Sequence, residues 1–304
     1  MPTVSVIVPA TTANLGPGFD CLGAALTLYN QFTFSTAVSG LTAAVQIEVT
    51  GLEADRVKTD ASNLAYQAFA RLFEHLQQPA PPVQITIHLG VPLARGLGSS
   101  ATAIVGGLVG ANTLAGHPFT QRELMDLAIV IEGHPDNVIP AFLGGCQLTA
   151  SGQDRGWVTC EIPWHDTIVP VLAIPDFELS TAEARKVLPP NYSRADAIFN
   201  IAHLGLLLRG LEAGREDWLA AALQDRIHQP YRETLIPGYG AVRSAALAAG
   251  AYGLVISGAG PTLLALASAP TATAVQAAIA TAWKEQSIQA AVTVLEIDRQ
   301  GAHL

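Results

Sequence analysis

Charge is scarce in this 304-residue chain. Only 13% of its residues are charged, lysine occurs three times (Lys58, Lys186, Lys284), and aromatic residues make up 6%. The balance is acidic, with a formal charge of −9, which argues against a nucleic-acid partner, because such surfaces carry a basic patch. It does not argue against a nucleotide, since a local cradle and a metal ion outweigh the net field. The three cysteines, Cys21, Cys146 and Cys160, are widely spaced in apolar surroundings. They are expected to be buried structural thiols, not a disulfide or a metal site, and the eight histidines lack zinc-ligand spacing. No apolar run is long enough to span a bilayer without a charge or a breaker, and Met1 to Ala10 lacks a signal-peptide pattern. A cytoplasmic chain without a membrane partner is therefore expected. Half of the residues are apolar. A chain of this length makes one large or two modest domains and buries roughly three quarters of its unfolded surface.

What the chain does have is glycine in particular places. Val83 to Leu89 alternates apolar and polar residues, the period of a half-buried strand, and leads into Pro92, Leu93, Ala94, Arg95, Gly96, Leu97, Gly98, Ser99, Ser100, Ala101 and Thr102. Gly96 and Gly98 permit backbone angles that other residues avoid and leave main-chain N–H groups uncovered. Ser99 and Ser100 stand where N-caps stand. The unpaired N–H groups of a first helical turn, with the helix dipole behind them, form an anion site. The helix that follows, Ser99 to Leu114, contains Gly106, Gly107 and Gly110. Glycine loses roughly 1 kcal/mol to alanine in a helix, so something is expected to approach this helix closely.

Two familiar phosphate loops are excluded. A Walker loop ends in Gly-Lys-Ser/Thr, and this loop has no lysine. The loose dinucleotide pattern is present, but the acidic residue that grips a ribose about twenty residues on is not. There the chain reads Gly116-His117-Pro118.

Two further loops follow predicted strands. Thr3 to Val8 runs into Pro9 to Asp20, whose prolines, glycines and Asn14 predict an ordered loop. It is either a plain turn or, through Asn14 and Asp20, the holder of a small polar ligand. Tyr252 to Ile256 enters Ser257-Gly258-Ala259-Gly260-Pro261. Between them, Asn63 to Gln77 has the spacing of a helix, capped by Asp60 or Ser62. Thr120 to Glu123 is a capping box for a helix that stops at Gly133. Glu132 then lies at the negative end of a helix dipole, an unfavourable place, which a divalent cation or plain solvation would explain. Pro135 holds His134 extended. Ser180 to Glu183 is another capping box, Ala195 to Leu211 reads as an amphipathic helix, and Gly152 to Gly156 and Ser39-Gly40 read as turns. His117 is a loop residue, Arg95 faces either a phosphate or solvent, and Arg299 to Leu304 reads as a loose tail.

The three glycine loops, in this order, resemble the signature motifs of the GHMP small-molecule kinases. Pro9 to Asp20 and Glu132 to Asn137 resemble the homoserine kinases within that superfamily. The resemblance covers nearly the whole chain. It implies an α+β fold: residues 1–163 as a two-layer α/β sandwich with a left-handed βαβ crossover holding ATP, and residues 164–304 as a ferredoxin-like half closing over the substrate. It implies that Pro92 to Thr102 wraps the ATP phosphates and that Ser100 and Glu132 bind Mg2+. It further implies that Asn14, Asp20 and His134 hold the amino and hydroxyl ends of L-homoserine while Thr181, Arg185 and Arg232 grip its carboxylate. Other members of the superfamily carry an aspartate base where this chain has Asn137. An amide accepts no proton at neutral pH, so the resemblance implies catalysis by positioning and charge neutralisation, with Asn137 orienting groups. The implied reaction gives O-phospho-L-homoserine, a step toward threonine. Another superfamily kinase with a mevalonate-like substrate, or a nucleotide-binding sensor, are the competing readings. Whether two copies pair as a homodimer stays open from the sequence.

Overall fold

The computed structural model of the protein describes residues 3–36, 43–153 and 156–304; the Ser39-Gly40 turn and the centre of the 152–156 turn lie outside them. In chain order the elements are β1 (Thr3–Ala13), β2 (Leu22–Thr36), β3 (Val45–Gly51), α1 (Leu64–His75), β4 (Val83–Leu89), α2 (Ser99–Leu114), α3 (Gln121–Glu132), α4 (Pro135–Leu143), β5 (Cys146–Ser151) and β6 (Trp157–Ile162). There follow β7 (Ile168–Pro175), α5 (Thr181–Lys186), α6 (Arg194–Ala213), α7 (Glu216–Ala222), α8 (Gln229–Arg232), α9 (Tyr239–Ala248), β8 (Gly253–Ile256), β9 (Leu263–Ser268), α10 (Ala269–Glu285) and β10 (Ala290–Val294).

The first sheet is built on β2, whose 15 residues are long enough to serve three neighbours. One edge pairs antiparallel with β1 from Gly23 to Ser35. The other is shared, Asn30 to Thr36 taking β4 and Leu22 to Ala24 taking β5. Parallel pairing of β3 with β4 requires a crossover, and α1 supplies it. The second sheet is antiparallel in the order β10-β7-β9-β8. With α10 between β9 and β10, that is a ferredoxin-like order, so the fold is the α+β arrangement that the resemblance implied.

Several local expectations are corrected. The N-cap of α1 is Asn63, whose side chain accepts from the N–H groups of Ala65 and Tyr66; neither Asp60 nor Ser62 fills that place. The N-cap of α2 is Gly98 at φ 66°, so Ser99 and Ser100 are its first helical residues and not its caps. What approaches the glycines of α2 is the protein's own core. A Cβ at Gly106 or Gly110 would strike Phe32 or Phe34 of β2, and one at Gly107 would strike the Ala65 carbonyl of α1. The segment after His134 forms the short buried helix α4, with Pro140 inside it. The C-terminal residues are tied down: His303 bridges Ile7, and the Asp298 carboxylate accepts from the N–H groups of Gln300 and Gly301. Cys160 is exposed on β6, while Cys146 is buried.

Candidate active site

A cavity of about 550 Å³ lies against the glycine loop that precedes α2 and against the loops carrying Asn14 to Asp20 and Gly258-Ala259. Its wall includes an apolar group, Val57, Leu64, Phe32 and Ala103 with Ser62, the loop residues Ala94, Gly96, Gly98, Ser99 and Ser100, and a charged group, Asp20, His134, Arg185 and Arg232 with Thr181.

The loop is a run of bare amides. The main-chain N–H groups of residues 96–101 find no hydrogen-bond partner among the described residues; the first helical bond of α2 runs from Thr102 N–H to the Gly98 carbonyl. Left-handed backbone at Ala94, Gly96 and Gly98 makes this shape. Glycine is required at two of these positions for space as well. A Cβ on Gly98 would collide with Thr11 Oγ1, and one on Gly96 with the Ser257 carbonyl. Leu97 is buried in the core, and its carbonyl accepts from Thr11 N–H. Ala101 and Thr102 are buried too, the Thr102 hydroxyl donating to the Ser99 carbonyl and accepting from Asn30. Pro92, Leu97, Ala101 and Thr102 shape the loop from behind; the cavity wall comes from Leu93 to Gly96 and Gly98 to Ser100.

Arg95 does not face solvent, although it lines the cavity. It is buried, its guanidinium donating to the Pro175, Leu93 and Asp176 carbonyls and pairing with Glu53 and Glu178. It fastens the loop to the end of β7.

Beside the bare amides, Ser100 Oγ donates to Glu132 Oε1 at 2.6 Å. Burial raises the Glu132 carboxyl above its ordinary pKa, and the Ser100 bond partly offsets this. Among the described residues no three acidic, histidine or cysteine side chains cluster to hold a metal. The local donors are therefore two hard oxygens next to a phosphate-shaped cradle. That set fits Mg2+, which takes few protein ligands and completes its shell with waters and nucleotide phosphates.

The third group concentrates charge. Asp20, at φ 57°, accepts two bonds from Arg185, at 2.7 and 3.0 Å. This bidentate bond raises the Arg185 pKa. Arg232 is 2% exposed, and no carboxylate pairs with it among the described residues. It donates to the carbonyls of Ala184 and Gly258, and its Nη1 lies 3.5 Å from His228 Nδ1. Burial, then the charge of Arg185, lowers its pKa. Both guanidinium groups lie over the ring of Phe19, 5.6 and 5.1 Å from its centroid. A buried cation beside a second cation is unfavourable without an anion between them.

Asn14 lines the cavity, but its side chain is spent within the protein. It donates to the Gly258 carbonyl and accepts from Asp20 N–H. Its work is to set the 14–20 loop against the 257–261 loop. His134 Nδ1 donates to Asp136 Oδ1 at 2.8 Å, and this bond raises the histidine's pKa. Asn137, buried at the start of α4, accepts from Thr11 Oγ1 and donates to Asp136. Thr181, first residue of α5, is exposed at the cavity rim. Cys21 is no nucleophile: burial, then Asp136 and Asp20, pushes its thiol up to about 11.

Sequence reasoning missed four side chains here. Asp136 is 3% exposed and lines the cavity. Phe19 lies beneath both arginines. His228, fully buried, donates through Nε2 to the Gly16 carbonyl and stacks on Phe19. Asp225 accepts from the N–H groups of Ile227, His228 and Gln229. The one sequence signal was Pro230, which stands in the first turn of α8; the His228 contact with Gly16 spans 212 positions.

Comparison with known proteins agrees along the whole chain. Residues 63–145 match the family described as "GHMP kinases N terminal domain" and residues 207–285 match "GHMP kinases C terminal". The chain is 66% identical over 300 residues to a homoserine kinase of Trichormus variabilis, covering 99% of this chain and 98% of that protein. It is 60% identical over 296 residues to one of Thermosynechococcus vestitus, covering 97% of each. A solved structure of homoserine kinase from Cytophaga hutchinsonii superposes with a TM-score of 0.89 at 30% identity, covering 100% of this chain and 97% of that one. A mevalonate kinase of L. major shares the fold alone, with a TM-score of 0.71 at 16% identity over 98% of this chain and 97% of that one. Bare amides, an acid beside a serine, and likeness of this extent lead to one conclusion: the chain belongs to the homoserine kinase family of the GHMP kinases.

Proposed function

We propose that the protein transfers the γ-phosphoryl group of ATP to the hydroxyl of L-homoserine, giving O-phospho-L-homoserine, with residues 1–163 carrying the nucleotide and residues 164–304 contributing the substrate's carboxylate grip. The observation that carries this reading is a single cavity lined by Gly96, Gly98, Ser99 and Ser100, whose amides are unpaired among the described residues, and by a buried guanidinium with no carboxylate partner among them. Amides of that kind suit phosphate oxygens; a guanidinium of that kind suits a carboxylate.

The nucleoside end of ATP is assigned to the apolar wall of Leu64 and Ala103, and the phosphates to residues 96–101. Ser100 and Glu132 would hold Mg2+, which when bound neutralises phosphate charge. An α-amino acid carries a positive and a negative group two bonds apart. Asp20 and Arg185, already paired, offer the complementary two charges to such a zwitterion, and Arg232 supplies a second cation for the carboxylate. The ammonium then takes Asp20, with His134 at its other side, and Thr181 closes the rim. The hydroxyl is left pointing toward the bare amides. Asn137, held by Thr11 and Asp136, orients groups and takes no proton; alignment and charge neutralisation suffice for a loose phosphoryl-transfer transition state.

The test is ADP release with homoserine, serine, mevalonate or no acceptor, with the product identified by phosphorus NMR. Homoserine alone is expected to support fast release. Equal release without an acceptor would overturn the reading, and release with mevalonate alone would move it to the neighbouring family.

A further inference from the structure

The ring of Phe19 stands where an acid would be expected. The guanidinium carbons of Arg185 and Arg232 lie 5.6 and 5.1 Å from its centroid. It is the one ring that two guanidinium groups share among the described residues. Two neighbouring cations repel, and the charge of Arg185 does disfavour that of Arg232. A carboxylate between them would relieve this, but it would also occupy their donors. An aromatic face relieves it differently, because its quadrupole attracts a cation and leaves the in-plane N–H groups of a guanidinium free.

The consequence shows at Arg232. Of the N–H donors of its guanidinium, Nε serves the Ala184 carbonyl, while Nη1 serves the Gly258 carbonyl and faces His228 Nδ1. Nη2 has no partner among the described residues, and Arg232 lines the cavity. Arg185, by contrast, is bound to Asp20, the residue next to Phe19. One dipeptide thus gives an acid to the first arginine and a ring face to both. The ring itself is held. His228 is fully buried, stacks on it at 5.1 Å with 22° between the planes, and donates to the Gly16 carbonyl. A single imidazole therefore fixes both the ring and the backbone three residues before it. The Gly18 carbonyl accepts from the N–H groups of Cys21 and Leu22, and a Cβ on Gly18 would meet Leu22 Cβ at 2.5 Å. The chain beside Phe19 is one compact turn.

We propose that Phe19 is a positioning residue that makes a carboxylate on the acceptor a requirement: its ring holds Arg185 and Arg232 as a pair of cations that an anion from outside completes. The inference rests on the reading of the acceptor as homoserine. Phe19 is not among the residues that line the cavity, so it acts through the two arginines. Arg232 is buried, whereas the Arg185 side chain is 39% exposed and has room to move. Without the ring, repulsion turns Arg185 away from Arg232, and the carboxylate must draw the two together at a cost in affinity. A cation on a ring face is worth a factor of about two when exposed and about thirty when desolvated. With one arginine of each kind, loss of the face is expected to weaken the grip on a carboxylate about tenfold. An acceptor without a negative charge loses nothing.

The experiment is steady-state kinetics of the full chain with L-homoserine and with homoserine amide, whose carboxamide is uncharged. The wild-type chain is expected to prefer the acid in kcat/KM. Phe19→Leu removes the aromatic face. Phe19→pentafluorophenylalanine keeps a ring of nearly the same shape and reverses the charge of its face, so it separates electrostatics from packing should the leucine variant fold poorly. Both are expected to cut the preference for acid over amide about tenfold, chiefly through the KM for homoserine, with the KM for ATP unchanged. Phe19→Tyr should keep the preference, since its ring face is alike. A merely structural role would lower turnover of both acceptors together. Equal losses for acid and amide, a preference that survives the fluorinated ring, or a wild-type chain that uses both acceptors equally would each overturn this proposal and leave the kinase reading standing. A wild-type chain idle with homoserine would overturn both.

Discussion

Glu132 and Arg232 are the two side chains whose positions make least sense without a ligand. Glu132 ends a helix, where a carboxylate is disfavoured, and burial disfavours its charge further. Glu132→Gln keeps the Ser100 contact and removes the charge. Turnover is expected to fall by about two orders of magnitude or more, as for the loss of a group that neutralises transition-state charge, and the response to magnesium concentration should flatten. An unchanged magnesium titration would refute the assignment. Arg232→Ala is expected to raise the KM for homoserine far more than the KM for ATP, because its guanidinium shares the ring of Phe19 with Arg185 in the charged part of the cavity. Equal increases would remove it from the carboxylate site. His228 offers a pH test. Burial lowers its pKa below 6.5, against the opposing pull of Asp225 and alongside that of Arg232. As pH falls through 6.5 the unfolded chain takes up a proton that the folded one refuses, so stability falls by up to about 1.4 kcal/mol per pH unit. His228→Asn retains a donor toward the Gly16 carbonyl, and its melting temperature should decline less between neutral and mildly acid pH.

At the scale of elements, the loop before α2 and the glycines within it do different work, though both looked like ligand approach in the sequence. Gly98 shapes the cradle, whereas Gly106 and Gly110 admit Phe32 and Phe34. Gly110→Ala is therefore expected to destabilise the fold by about 1–3 kcal/mol, the usual range for overpacking, with the KM for ATP unchanged. Thermal melting and steady-state kinetics on the same variant separate the two. The capping boxes at Thr120 and Ser180 formed as their sequence spacing predicted, because a capping box is complete within four residues. The α1 cap was misjudged by one to three positions, because Asp60, Ser62 and Asn63 all qualify locally and only the helix axis, set by packing on α2, chooses among them.

For the whole molecule, the C-terminal residues return to the first sheet. Asp298 N–H donates to the Ala25 carbonyl, its carboxylate accepts from Tyr29, and His303 bridges Ile7. Removing residues 299–304 should lower the melting temperature and loosen the seam between β1 and β2; a full-length melting temperature in the truncated chain would show the tail to be dispensable. This contact was illegible in the sequence, where Arg299 to Leu304 carries no periodic apolar pattern. The same holds for Arg95, whose partners lie on Glu53, Pro175 and Glu178, 42 to 83 positions away.

The chain's own order of residues determined most of the elements, the glycine loops, the capping boxes at Thr120 and Ser180 and the family likeness, because each of these is settled by neighbours a few positions apart. Only the tertiary structure decided which of the marked side chains are free. Asn14 and Arg95 are consumed by internal partners, while among the described residues Arg232 is left without an acid and the amides of residues 96–101 are left bare. Whether a polar group is spent or available depends on every group within hydrogen-bond reach, and that reach is fixed by folding distances, not by separation along the chain.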